Sequence, residues 1–86
     1  MYLHIGGDVI IPFKEVVGIF DSITSDATAT REFLQVSREE GFIFSATDIT
    51  HVKSFIIVND RVYLSPIACA TLRKRWFSLI FSIEEL

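Results

Sequence analysis

The sequence predicts an α+β domain, a mainly antiparallel β-sheet with two helices in the order β-β-β-α-β-β-β-α. Three observations carry this. Short β-branched and aromatic runs are separated by Gly-Gly-Asp and Asn-Asp connections. Two longer segments have helical apolar spacing and open on capping residues. The strands also come in two groups, each followed by one helix.

Tyr2-Leu3-His4-Ile5 and Val9-Ile10-Ile11 flank Gly6-Gly7-Asp8, whose glycines can supply positive φ, so the chain opens on a hairpin. Pro12 has no N–H to donate and ends the pairing. Phe13-Lys14-Glu15 reads as a single turn before a third strand, Val16 to Phe20, in which Gly18 marks a bulge or a close backbone approach. Asp21 to Thr28 is rich in Ser, Thr and Asp, which accept hydrogen bonds from the first N–H groups of a helix. That helix is expected from about Ala27 to Glu40, packing on the sheet through Ala29, Phe33, Val36 and Glu40, with Leu34 beside them and Gly41 as C-cap.

Phe42-Ile43-Phe44 returns as a strand, and Ser45 to Val52 is a polar loop. Lys53 to Val58 is apolar on successive residues, as suits a strand covered on both faces. Asn59-Asp60 turns it back into Arg61-Val62-Tyr63-Leu64. Ser65 as N-cap and Pro66 at the first helical position then predict a second helix running to about Ser82. Ile67, Leu72, Trp76, Leu79, Ile80 and Ile83 form its main stripe, with Phe77 and Phe81 beside it. A helix apolar around most of its circumference should be buried on several sides.

At 86 residues the chain is one domain, 1–86. A domain this small buries only about 60% of its extended-chain surface. Half the residues are hydrophobic, including eight Phe, two Tyr and one Trp. That load predicts a homo-oligomer, with Trp76, Phe77, Ile80 and Phe81 at the subunit interface. The chain opens without a basic, apolar leader, and its longest uncharged run, Val62 to Leu72, is too short to span a bilayer. A cytoplasmic protein is expected.

No nucleophile-elbow, zincin, Walker or dinucleotide-binding pattern occurs, so no catalytic residue, no cofactor and no enzyme activity is expected. A lone Cys69 with His4 and His51 makes no metal-site pattern, and Cys69 reads as a small core residue. Eight Lys and Arg against eleven Asp and Glu give a net charge of −3, which argues against a surface basic all over and leaves room for a local basic patch. Arg73-Lys74-Arg75 fan over about 200° of a helix, so they cannot all face one way. They read either as a solvated turn or as phosphate contacts. Lys14, Lys53 and Arg61 are scattered in sequence, but assembly of copies would repeat each of them, and salt-dependent affinity scales with the phosphates neutralised.

Met1-Tyr2-Leu3-His4-Ile5-Gly6, Val17-Gly18-Ile19-Phe20-Asp21, and Tyr63-Leu64-Ser65-Pro66 followed by Thr71-Leu72-Arg73-Lys74-Arg75 occur in this order within one short chain. Together they resemble the bacterial extracellular matrix regulator family (RemA/RemB), the RemB (YaaB-like) branch more than RemA. The resemblance spans nearly the whole chain. It implies a cytosolic DNA-binding transcription regulator of biofilm-matrix genes, a homo-oligomeric ring whose protomer is similar to the LytTR type of DNA-binding domain. It also implies phosphate contact from an arginine after the first hairpin, which falls on Lys14, and from an arginine pair before the central strand. That pair falls on Thr50 and His51, where this chain departs from the RemA pattern, with Lys53 close by. Lys14 and Lys53 are therefore the first contacts expected, then His51, Arg61, Arg73, Lys74 and Arg75. They would act on the backbone of duplex DNA rather than through an inserted helix. The alternative is a non-catalytic oligomeric scaffold that binds a protein partner, such as a RemA-like relative, with little DNA binding. Docking of the basic, Trp-bearing helix to an anionic membrane is a distant third reading.

Overall fold

The computed structural model describes residues 1–23, 28–47 and 51–84. Half of the capping stretch expected before the first helix, residues 24–27, lies outside them, as does Thr50. The elements are β1 (Tyr2–Gly6), β2 (Val9–Pro12), a 3₁₀ turn (Phe13–Glu15), β3 (Val16–Asp21), α1 (Thr28–Glu39), β4 (Ile43–Ser45), β5 (Ser54–Val58), β6 (Val62–Ser65) and α2 (Cys69–Glu84). This is the α+β order predicted.

β1 and β2 form a separate antiparallel hairpin that turns at Gly6 and Gly7, both at positive φ. Gly6 is required twice over: its φ is 122°, and a Cβ there would stand 2.7 Å from Cδ of Pro66. The other strands form one sheet in the order β3-β5-β6-β4, antiparallel except that β4 runs parallel to β6. The expected bulge lies between Val16 and Gly18, which pair with Val58 and Ile57 and leave Val17 as the extra residue. The β5–β6 turn closes by an N–H of Val58 donating to the Arg61 carbonyl at 3.0 Å. It does so without positive φ, which among the described residues belongs to glycines alone.

Residues paired across strands share a face. One face carries Ile19, Ile56 and Val58, and it is covered by Leu3, Ile5 and Ile11 of the hairpin and by Cys69 and Leu72 of α2. The other carries Phe55, Val62 and Leu64, against which Leu34 of α1 packs. β5 is thus covered on both sides, as its unbroken apolar run predicts.

Both helices depart from expectation. On α1, Ser37 is buried and Thr30 and Leu34 are half-buried, so these residues face the sheet, while Phe33 (43%) and Val36 (56%) are exposed. The expected contacts Phe33 and Val36 therefore point outward. The cause is the C-terminal end of the helix, where Gly41 at positive φ donates its N–H to the Arg38 carbonyl and Phe42 donates to that of Ser37. The Phe42 carbonyl accepts from Val62, which pins that end to the sheet and fixes the roll of the helix with Ser37 inward.

α2 begins at Cys69, not at Ser65-Pro66. The Ser65 hydroxyl donates to the Ile5 carbonyl and accepts from the Ile67 N–H at 3.0 Å, so it ties β1 to β6 instead of capping the helix. Ser54 Oγ holds the same segment by donating to the Ile67 carbonyl at 2.7 Å. Nor is α2 buried on several sides within one chain, since Phe77 (53%) and Phe81 (62%) are exposed.

Candidate nucleic-acid interface

Pro12 ends β2 and the chain turns once through Phe13–Glu15. The Phe13 ring packs on Trp76, with centroids 5.5 Å apart, and its N–H donates to the Met1 carbonyl at 2.9 Å. The turn is thereby fixed and Lys14 is held in solvent, beside a hollow of about 350 Å³ shared with Met1, Tyr2, Pro12 and Phe13.

Lys53 is fixed through its backbone. Its N–H donates to the Ser65 carbonyl at 2.9 Å and its carbonyl accepts from Ser22 at 3.0 Å, while its side chain is exposed. His51, two residues earlier, is exposed as well. Val16 pairs with Val58 and Asp21 with Ser54, so Lys14 and Lys53 lie at opposite ends of the β3–β5 pair. About 13 Å of strand rise separates those ends. Arg61 follows the β5–β6 turn and lies at the Lys14 end.

Arg61, Arg73 and Arg75 are engaged in other work. Arg61 makes a bidentate pair with Asp60, its Nε and a terminal nitrogen each 3.2 Å from a carboxylate oxygen. It also donates to Tyr63 Oη at 3.3 Å and lies 4.8 Å from the Phe44 ring centroid. The bond to Asp60, then that to Tyr63, raises its pKa above the ordinary arginine value. Arg73 donates to the Ile19 carbonyl of β3 at 3.4 Å, and Arg75 to the His4 carbonyl of β1 at 3.0 Å. Between them Lys74 points to solvent. The three consecutive cations do fan out, two inward onto neighbouring strands and one outward. Among the described residues, the ammonium groups of Lys14, Lys53 and Lys74 make no hydrogen bond or ion pair.

The four residues expected at an interface also divide. Trp76 is half-buried between Phe13 and Phe77, its indole Nε1 enclosed without a hydrogen-bond partner among the described residues, and Ile80 is half-buried. Phe77 and Phe81 stand out. With Trp76, Phe77 and Arg73, the β3 residues Val16–Ile19 line a groove of about 310 Å³. Sequence reasoning missed Val17, which is 68% exposed beside Phe77. Its signal was the neighbouring Gly18: a bulge leaves one residue unpaired, and on an edge strand that residue faces out. Asp60 and His4 were missed as partners of Arg61 and Arg75. The adjacency of Asp60 to Arg61 was visible, but the contact between His4 and α2 spans nearly the whole chain.

Among the described residues no helix is long and apolar enough to cross a membrane, and no cluster of His, Cys, Asp or Glu could hold a metal ion. Fold and surface together describe a small α+β domain whose distinguishing features are three solvent-held lysines and exposed aromatic side chains. The family described as RemA-like, extracellular matrix regulatory protein A-like, matches residues 2–76, and the chain belongs to it. It is 31% identical over 85 residues to extracellular matrix regulatory protein B of Bacillus subtilis (strain 168), covering 99% of this chain and 100% of that protein.

Proposed function

We propose that this protein is a non-enzymatic, cytoplasmic matrix regulator that binds duplex DNA through its sugar-phosphate backbone as a homo-oligomeric ring. Membership of the RemA-like family supports the regulatory role. The observation that carries the DNA reading is the division of labour among the cations. Arg61 is paired with Asp60, and Arg73 and Arg75 donate to strand carbonyls, whereas the ammonium groups of Lys14, Lys53 and Lys74 make no such bond. One copy presents too few of these, at opposite ends of a sheet, to hold a duplex tightly. Repetition around a ring multiplies them, and each phosphate neutralised releases counterions. Phe77 and Phe81, exposed on one chain, supply apolar surface for assembly.

The test is a salt titration of binding to duplex DNA. Affinity should fall by about 10³-fold or more between 50 and 200 mM salt if six or more phosphates are contacted. Lys14→Glu should weaken binding further and flatten the salt slope. A flat salt dependence in the unaltered protein rejects backbone binding. One observation favours a second reading, a scaffold for a protein partner: the net charge is −3 and Arg61, Arg73 and Arg75 are already engaged. No duplex binding at low salt, with a protein partner retained on purification, would select it.

A further inference from the structure

The outward stripes of the two helices differ in a way that suits one to the other. Successive residues of a helix turn by about 100°, so positions three and four apart share a face. On α1, Phe33 and Val36 form an exposed apolar strip bordered by the exposed carboxylates of Glu32, Glu39 and Glu40. Arg31 and Arg38 fall on the other side, across the face that meets the sheet. On α2, Phe77 and Phe81 form an equivalent strip, bordered by the exposed cations Arg73 and Lys74. Each strip also adjoins a hollow. Phe33 lines one of about 220 Å³ with Phe20, Thr30, Phe55 and Ile57. Phe77 lines the groove beside Val17. The helices cover opposite faces of the sheet, so the two strips look away from each other.

From this charge complementarity we infer that the occupant of the α2 strip is the α1 strip of a second copy, joined head to tail. The inference rests on the assembly proposed above and specifies its contact. Aromatic side chains of each strip fill the hollow beside the other, and the acidic border of α1 meets the basic border of α2, which takes Lys74 into the subunit contact and leaves Lys14 and Lys53 as the solvent-held lysines for DNA. An α2–α2 contact related by two-fold symmetry would instead set Arg73 and Lys74 against their own copies, and like charges oppose such a pairing. Because the two strips are different surfaces on opposite sides of the molecule, the contact propagates from copy to copy and closes wherever the rotation per copy allows.

Charge reversal on the separate strips tests this without DNA, by light scattering across a concentration series at low salt. Glu39→Lys/Glu40→Lys and, separately, Arg73→Glu/Lys74→Glu should each raise the concentration of half-dissociation about tenfold or more. An equimolar mixture should reassemble with a midpoint close to that of the unaltered protein, because each altered strip then meets its altered complement. Arg73 also ties α2 to β3, so Lys74→Glu alone, which leaves that tie intact, should move the midpoint in the same direction by less. If the unaltered protein assembles but the α1 variant assembles equally well, or the mixture fails to recover, the head-to-tail contact is wrong while the assembly stands. If the unaltered protein is a monomer throughout, both fall.

Discussion

The two helices are similar in kind and differ in how they are held. α2 is built into the interior: Leu72 and Cys69 are buried, Arg73 and Arg75 reach backbone carbonyls on β3 and β1, and the segment before it is pinned by Ser54 and Ser65. α1 is laid on the other face through Thr30, Leu34 and Ser37, and is fixed mainly at its Gly41 end. Among its described residues the one inward apolar side chain is Leu34, whereas Phe33 and Val36 are left outside. α2 therefore belongs to the folding unit, and α1 is an attachment whose best apolar surface remains available.

The largest effect should come from deepening that contrast. Leu72 is fully buried, and Leu72→Ala should cost ~2–5 kcal/mol through lost transfer energy and the cavity left behind. Leu34 is only half-buried, so the same truncation there should cost distinctly less, on the order of 1–2 kcal/mol. Urea unfolding of both variants measures the difference. Equal losses would mean that α1 is as much a part of the core as α2.

The Ser65 hydroxyl is a smaller target on the α2 side. It is fully buried and serves both the Ile5 carbonyl and the Ile67 N–H. Ser65→Ala strands both and should cost ~1–3 kcal/mol. If this residue were a helix N-cap, the loss would show as fraying of α2. As a tie between strands, its loss should instead speed hydrogen exchange in the β1–β2 hairpin while α2 stays protected.

Local rules made much of this fold legible. Glycines at positive φ placed the first hairpin and the end of α1, and an apolar run without alternation marked β5 as covered on both faces. The roll of α1 was not legible. The spacing of Phe33 and Val36 names an apolar stripe but not which way it points, and a bond between Phe42 and Val62, distant in sequence, decides that. The start of α2 was misread for a related reason. Ser-Pro is a valid cap signal, and the competing acceptor, the Ile5 carbonyl, comes from sixty residues away. The site was legible as a set of cations but not in its division. Nothing in composition separates an arginine that braces a strand from a lysine left to solvent, although the rigid, many-donor guanidinium is the better brace.

That division gives the smallest and most specific prediction. Asp60 occupies one edge of the Arg61 guanidinium, and both groups lie at the surface, so the pair should add little to stability. Asp60→Asn should leave the unfolding midpoint unchanged within error while removing the partner that neutralises Arg61. The altered protein would then carry one more available cation per copy, at the Lys14 end of the sheet. Duplex affinity should rise at low salt, and the slope of log affinity against log salt should steepen by about one for each Arg61 that finds a phosphate. A rise in affinity without a steeper slope would show that Arg61 stays clear of phosphate and acts only through overall charge. No change at all would place the Asp60 turn outside the nucleic-acid surface and confine that surface to the solvent-held lysines.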